Sequence, residues 1–500
     1  MDKNSRITLL IVILVSTGLL WFAAAKMSFW EDETYTSSQS QKTIPVILEG
    51  FQSDVHPVLP LIFTSLWGSI FGYDEPGLRS LSIIFSGLSL WAVFFLAKDL
   101  FDRKTAFLAV MILAFMPLFI MFGHQARYYP MAMLFSVMLA LMFRYYLQQH
   151  KIVYLIVYVL FACLLIYVSY SAFSVIVAAN LWWIIDWFRK SVRDKRYFYS
   201  WVTAQVGILL FSFPLISHIQ SLVERYYAAP NFGFWPVEAL KRGLYLVYTY
   251  AVGQTISPLN PIAWIGCLVV GFLVILAFVK QKSRPSFWFL ATFLIVVVVI
   301  NLVVSLTSGW LSQIWQNLPH WSFYAIPFWA ILLASGIDKL RLRWQGVVMF
   351  VLLLVFSAAN LNYYVGRQFI QPIYAVPWKE IFENIHEEAS SNMALVCSGS
   401  DVACRYYAGR YGLDQNLYSN ERQIPFAQVD QVWWIQIYLG QERKDSKDFE
   451  IALTQLASEY QYKDEFPYAR QDDSLRWLKK KYLGQDDYEY RVIVYHFFRD

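Results

Sequence analysis

The sequence predicts an α-helical polytopic membrane protein of about eleven transmembrane helices, followed by a C-terminal α/β domain outside the cytoplasm. Three observations predict it. Hydrophobic residues make up 57% of the chain and charged residues only 15%, against roughly 25% charged in soluble domains. Apolar runs recur along residues 1–360 at the length of about 20 residues that a bilayer crossing needs. Lys and Arg gather at alternate ends of those runs, which sets topology by the positive-inside rule.

Taken in order, the spans are Ile7 to Ala25, Leu78 to Ala97, Thr105 to Phe122, Met131 to Leu147, Ile152 to Val168 and Ala172 to Phe188. Trp201 to Ile219, Pro261 to Val279, Phe287 to Leu306, Ser322 to Ile337 and Val347 to Ala359 follow. Basic residues mark one side: Lys3 and Arg6, Lys98 to Lys104, Arg144 and Lys151, Arg189 to Arg196, Lys280 to Arg284, and Lys339 to Arg343. That side is the cytoplasm, with the N-terminus in and the C-terminus out. A cleaved signal peptide is the alternative for Ile7 to Ala25; its length and the lack of a small-x-small site before Trp30 favour an uncleaved span. The pI near 8.7 therefore reflects topology rather than nucleic acid, which is not an expected partner.

The charge balance turns over at the tail. Residues 376–500 carry 15 Lys and Arg against 21 Asp and Glu, while residues 1–375 carry 26 against 15. We read residues 1–360 as the transmembrane domain, with a large outer loop over 27–77, and residues 361–500 as a soluble domain. Its strands are expected at Met393 to Val396, Val432 to Tyr438 and Arg491 to Phe498, and its helices at Trp378 to Ala389 and Phe449 to Tyr460. Cys163 and Cys267 fall in apolar spans and read as packing residues. Cys397 and Cys404 lie close together in the tail, where an oxidising compartment would let them pair, although spacing alone does not bring two Cα atoms within about 7 Å.

The chemistry-bearing residues sit at the outer ends. Glu31-Asp32-Glu33 follows the first span directly, and a charge that close to hydrocarbon costs about 2.5–3.5 kcal/mol, so the cluster is either functional or simply ends a helix in water. Asp54-Val55-His56-Pro57 precedes Val58 to Phe71, an apolar segment too short to cross and expected to lie in the outer leaflet. The third hairpin reads Gly123-His124-Gln125-Ala126-Arg127-Tyr128-Tyr129-Pro130. Arg127 there runs against the positive-inside bias and is either paired with a loop carboxylate or an anion site, since guanidinium grips phosphate with a planar fork of donors. Tyr170 to Phe173 closes the fifth hairpin, an aromatic run from Phe234 to Tyr250 lies in a long outer segment from His218 to Asn260, and Leu318-Pro319-His320-Trp321 heads the tenth span. Four of seven histidines (His56, His124, His218, His320) fall at such ends, but no HxxH or HExxH spacing supports a metal. Glycine-rich nucleotide loops are absent, so an activated donor has to arrive as a lipid.

The order W-x-D-E-x-Y-T, D-V-H-P, L-W, F-G, E-P-x-x-R-x-L-S and Q-A-R-x-Y resembles the membrane glycosyltransferases of family 39. These are GT-C type enzymes related to dolichyl-phosphate-mannose protein mannosyltransferases and to lipid A aminoarabinose transferases. The matching residues are Asp32-Glu33, Asp54 to Pro57, Leu66-Trp67, Phe71-Gly72, Glu75 to Ser82 and Gln125 to Tyr129. Two departures stand out: Gln125 holds the place of a carboxylate in the family's Q-E-A-R, and His320-Trp321 that of Arg-Tyr before the late proline.

The resemblance implies a GT-C fold and transfer of a sugar from a polyprenyl-phosphate donor to an acceptor hydroxyl at the extracytoplasmic face, with the bacterial inner membrane as the expected location. Asp32 is then the general base, with Glu33 orienting it or the acceptor. His56 and Arg127 are the phosphate candidates, and His124, Gln125, Tyr129 and His320 complete the substrate-binding set. Displacement without a covalent intermediate would invert the anomeric centre. No cofactor beyond the lipid-linked donor is expected, a divalent metal staying open, and the expected partners are membrane lipid, the donor, and a glycan, lipid or protein acceptor. Two other classes remain: a lipid or solute transporter, disfavoured because the span interiors near the midplane hold almost no ionisable residues, and a non-catalytic relative acting in lipid or glycan binding.

Overall fold

The structure, a computed structural model, describes residues 3–51, 54–189, 194–226, 235–307, 315–367, 374, 376–398, 401–418, 424, 428–437, 454, 456–460, 462–470 and 490–499. Packing divides the chain into two units. The first is built from residues 1–25, 39–253 and 265–358, and the second from 26–38, 254–264 and 359–500. The outer loop over 27–77 is thus shared between them.

The first unit is helical throughout. Among the described residues eight helices are long and apolar enough to cross a membrane, and a ninth span is a helix pair, Arg103–Phe115 and Pro117–Gly123, bent by 61°. Ile152–Val168 and Phe323–Ile337 are shorter apolar helices at the two remaining expected spans, so every one of the eleven apolar runs is helical. The expected single span Thr105 to Phe122 is corrected: Pro117 has no N–H to donate and disfavours helix at the residue before it, and the chain leaves the helix at Met116, with φ −60° and ψ 130°. Val58–Phe71 forms a 14-residue helix, about 21 Å long at 1.5 Å per residue, which is short of the hydrocarbon thickness.

Helix starts follow their caps. Asp74 accepts the Gly77 N–H at 3.0 Å and Asp102 accepts the Thr105 N–H at 2.8 Å, each meeting an orphan donor of the first turn. The Asp74 cap with Pro76 behind it starts the second long helix at Glu75, one turn before the apolar run. Glu75 and Arg79 are consequently carried into the first turns of the helix, and both are buried at 1% exposure.

Small residues let the helices approach. The backbone of Gly336 lies against the Leu273 carbonyl, where a Cβ would not fit, and Gly87 faces Thr17. The Trp235–Val252 helix ends at Gly253, whose N–H reaches the Thr249 carbonyl at 2.8 Å. Gly253 has φ +81°, and a Cβ there would stand 2.6 Å from the Pro117 ring; only glycine combines that dihedral with that clearance. Large apolar side chains such as Leu14, Ile156, Leu160, Leu210, Leu268 and Ile275 stay exposed, as a lipid-facing surface requires. At the basic ends, Arg144 pairs with Asp99 at 2.8 Å and Lys104 with Asp338 at 3.5 Å.

The second unit contains a five-stranded sheet of order β2-β1-β3-β5-β4. Its strands are β1 Met393–Ser398, β2 Leu417–Tyr418, β3 Gln431–Ile437, β4 Tyr462–Arg470 and β5 Tyr490–Phe498. β1 runs parallel to β2 and β3, while β5 is antiparallel to β3 and β4. Ala394, Val396, Val432, Trp434, Tyr495 and Phe497 build one core face together with Leu456 and Tyr460. The Trp378–Glu388 helix buries Trp378, Ile381, Phe382 and Ile385, the i, i+3, i+4, i+7 stripe of an amphipathic helix. Cys397 at the end of β1 is bridged to Cys404 on the Asp401–Arg410 helix, with Cα atoms 6.4 Å apart. The first part of the expected Phe449 to Tyr460 helix, Phe234 and Tyr438 lie outside the described residues.

Candidate active site

The acidic motif opens a helix rather than closing one. Glu31–Ser40 is helical and carries Glu31, Asp32 and Glu33 in its first turn, where the N-terminal end of the helix dipole favours negative charge. Trp30 stands at the cap: its carbonyl accepts the N–H groups of Glu33 at 2.9 Å and Thr34 at 3.0 Å. Glu33 Oε2 reaches back to accept the Trp30 N–H at 3.4 Å, the return half of a capping box. Glu33 is fully buried whereas Asp32 is part-exposed. Two adjacent carboxylates therefore sit differently: Glu33 is buried and shapes the turn, while Asp32 stays part-exposed. Both lie in the second unit.

The remaining expected site residues lie in the first unit. His56 is held by Asp54, whose Oδ1 is 2.9 Å from both the His56 backbone N and its Nδ1, an Asx turn with a ring contact added. At the third hairpin, His124, Gln125, Arg127 and Tyr129 are all buried, and the Arg127 N–H reaches the Gln125 carbonyl at 2.6 Å. The Arg127 guanidinium lies over the Tyr128 ring, 5.6 Å from its centroid, within cation–π range.

His124 sits one residue past the bent span. Its Nδ1 is 2.9 Å from the Ile120 carbonyl; a carbonyl only accepts, so that nitrogen bears the proton. Burial, and then the nearby positive charge of Arg79, push its pKa down to about 3. His124 is thus neutral at working pH, and the positive charge of this region comes from arginine. Arg79 donates from Nη1 to the Ala24 carbonyl at 3.0 Å, at the end of the first span, and Ser86 donates to the Gly123 carbonyl at 2.6 Å. Sequence reasoning quoted Glu75 and Arg79 in a motif but gave them no role. The signal was present in Asp74-Glu75-Pro76, which begins a helix early enough to bury the arginine one turn on.

The structure brings two expected residues face to face. The rings of Tyr129 and His320 lie 5.2 Å apart at 33°, and Phe122 packs edge-on to each at 5.7 Å. Tyr324 ties neighbouring elements together, accepting from Asn301 Nδ2 at 2.8 Å and donating to the Ser171 carbonyl at 2.7 Å. Ser171 Oγ in turn reaches the Trp321 carbonyl at 3.2 Å. The fifth hairpin and the head of the tenth span are locked as one surface. Sequence reasoning also passed over Arg242, which is buried, 3.6 Å from Glu238, and donates to the Ser305 carbonyl. Among the described residues no three His, Cys, Asp or Glu side chains converge as a metal site would require.

A polytopic helical unit with long apolar helices, accompanied by a separate small α/β unit, defines an integral membrane protein. The comparisons with known proteins narrow this. The family model of dolichyl-phosphate-mannose-protein mannosyltransferases matches residues 55–217, about a third of the chain and the part that holds His56 and the His124 to Tyr129 hairpin. The crystal structure of ArnT from Cupriavidus metallidurans bound to undecaprenyl phosphate superposes with a TM-score of 0.53 at 13% identity, covering 99% of this chain and 98% of ArnT. The oligosaccharyltransferase of Archaeoglobus fulgidus in the apo form gives a TM-score of 0.52 at 12% identity, covering 87% of this chain and 70% of that one. The archaeal oligosaccharyltransferase AglB from the same organism, in complex with an inhibitory peptide and a dolichol-phosphate, gives 0.51 at 11%, over 86% and 69%. A comparison with curated proteins finds no match. The fold is that of the GT-C membrane glycosyltransferases, and residues 55–217 are similar in sequence to the dolichyl-phosphate-mannose-protein mannosyltransferases.

Proposed function

We propose that this protein is an integral membrane glycosyltransferase that moves a sugar from a polyprenyl-phosphate donor to an acceptor hydroxyl at the extracytoplasmic face. The observation that carries the reading is the family match over residues 55–217, because it includes the hairpin that buries Arg127. The full-length likeness to ArnT supports the fold on which that hairpin is mounted. A polyprenyl-linked sugar stays in the bilayer, so its head group has to be met where helices end, which is where the site residues lie.

In this reading Asp32 accepts the proton of the acceptor hydroxyl as its oxygen bonds to the anomeric carbon. The bond from that carbon to the phosphate oxygen breaks, and its electron pair leaves with the polyprenyl phosphate. Arg127, with its fixed charge and fork of donors, takes up the charge that grows on the departing phosphate, and His56 adds a second polar contact. His124, Gln125, Tyr129 and His320 shape the donor side, His124 as a neutral ring. Attack from the face opposite the phosphate inverts the anomeric centre, and a phosphate leaving group needs no second carboxylic acid of the kind glycosidases use. The alternating basic ends support a cytoplasmic N-terminus and an extracytoplasmic C-terminus in this reading, with a bacterial inner membrane as the proposed location.

Asp32→Asn tests the proposal. Membranes bearing the variant should lose transfer from an undecaprenyl-phosphate sugar while the purified protein still binds undecaprenyl phosphate. Retained transfer, or protein that moves the lipid across vesicles without forming a glycoside, would overturn it in favour of a transporter or a non-catalytic relative.

A further inference from the structure

The segment that enters the acidic helix is anchored by the C-terminal module, residues 26–38 and 359–500 forming parts of one compact unit. The Phe29 N–H donates to the Tyr407 hydroxyl at 2.7 Å, and the Lys379 N–H donates to Ser28 Oγ at 2.9 Å. The second bond caps the first turn of the Trp378–Glu388 helix with a side chain from a residue 351 positions earlier. Ring contacts complete the attachment: Phe29 meets Tyr406 edge-on at 5.9 Å and Trp30 meets Tyr374 at 4.7 Å. Phe29 and Tyr407 are fully buried, so the Phe29 N–H has no water to turn to, and a buried amide without a partner is costly.

Tyr407 is itself held rigidly. Its ring stacks on Trp378 at 6.3 Å and 12° and on Phe382 at 6.1 Å and 27°. Its helix is fastened to β1 by the Cys397–Cys404 bridge. None of this follows from packing needs alone, since a phenylalanine would fill the same stack; the hydroxyl is what reaches the loop.

We infer that Tyr407 and Ser28 form the joint through which the folded C-terminal module positions the acidic helix, Tyr407 acting as a positioning residue for Asp32 three residues beyond Phe29. The inference deepens the proposed function and rests on it for the role of Asp32. Trp30 is the cap, so a fixed amide one residue earlier sets the direction in which the helix leaves. A base displaced by about 1 Å can lose about a hundredfold in rate, which is what such a joint guards against.

Hydrogen–deuterium exchange on the full-length protein in lipid nanodiscs tests it. In Tyr407→Phe and in Ser28→Ala, peptides spanning residues 27–40 should exchange about tenfold faster, the equivalent of one lost hydrogen bond, while peptides from β1 and β3 keep their protection. Reduction of the Cys397–Cys404 bridge should loosen the same peptides. Ser28 lies outside the module's core, so its variant decides the matter should Tyr407→Phe loosen the whole sheet. Unchanged exchange over 27–40 in both variants, or an equal rise across the whole module in both, overturns the joint. Exchange needs no substrate, so the outcomes separate: if Asp32→Asn keeps transfer while both variants free residues 27–40, the proposed function falls and the joint stands. Where transfer is measured, Tyr407→Phe should lower kcat about tenfold and leave KM for the lipid donor unchanged.

Discussion

Glu33 folds back on its own helix: its Oε2 accepts the backbone N–H of Trp30 at 3.4 Å, and the two residues bracket Asp32. The pair of carboxylates, adjacent in sequence, should therefore separate sharply by mutation. Asp32→Asn should reduce transfer by at least about a hundredfold, at the low end of general-base contributions, while costing no more than the about 0.3–1 kcal/mol of a first-turn charge on the helix dipole. Glu33→Gln keeps an oxygen able to accept the cap bond and should hold activity within about tenfold, whereas Glu33→Ala should cost roughly 0.5–2 kcal/mol of helix stability. Thermal melts alongside transfer assays check both. Equal loss in Asp32→Asn and Glu33→Gln would show that the roles are shared.

The Arg127 guanidinium lies over the Tyr128 ring, and lysine cannot reproduce its planar fork of donors. Arg127→Ala should weaken binding of undecaprenyl phosphate by about 1.5–3 kcal/mol, the range for charge-assisted hydrogen bonds. Arg127→Lys should recover only part of it. Lipid titration of protein in nanodiscs measures both, and an Arg127→Ala protein with full affinity would remove this residue from the phosphate site.

His496 on β5 lies flat on Trp433, with centroids 3.7 Å apart at 8°, and burial pushes its pKa down to about 4 while Asp464 pulls it up in part. Glu388 is also near, 3.9 Å from Nδ1. A histidine that is neutral when folded and has a pKa of about 6.5 when unfolded binds more protons in the unfolded chain between those values. Stability of the C-terminal module should then be complete above pH 6.5 and decline as pH falls toward 4. His496→Phe keeps the stack and removes the titration, so its melting temperature should change less over that range. Tryptophan-monitored melts at pH 7, 5.5 and 4 give the comparison, and parallel slopes for the two proteins would refute the assignment.

Gly253 combines φ +81° with a 2.6 Å approach of its would-be Cβ to Pro117. Gly253→Ala should cost about 1–2 kcal/mol for the left-handed backbone alone, with the collision added. Gly271, which has open space around it, serves as the control: Gly271→Ala should be neutral or better, since alanine is the stronger helix former by up to about 1 kcal/mol. Monodispersity and thermal melts of the two variants in detergent make the test.

The helices were legible in the sequence because each span must satisfy its own backbone in lipid, and eleven apolar runs announce themselves by length. Their interruptions were less so: Pro117 stands in plain view inside Thr105 to Phe122, yet its apolar neighbours on both sides read as one run. β1, β3 and β5 were visible as short apolar runs, β3 and β5 rich in β-branched and aromatic residues. β4 was not, for Tyr462–Arg470 carries Lys463, Asp464, Glu465 and Pro467, a composition tolerated at a sheet edge, where it lies. At the site, residue types pointed to Asp32, Arg127 and His320, because charge and imidazole at the ends of apolar runs are conspicuous. Tyr407 was not conspicuous at all. An aromatic in a soluble module looks like core, and only its partner 378 positions away distinguishes it.

That separation has a consequence in time. At roughly 5–20 residues per second of synthesis, the Phe29 amide emerges from the ribosome some 20–75 seconds before the hydroxyl that receives it, the interval set by the 378 intervening positions. During that interval the carboxylates wait without their seat, while helices are delivered to the bilayer one after another. A chain stopped short of Tyr407 would carry every group named for the chemistry and still lack the last piece of its assembly, so competence arrives late, with the close of translation.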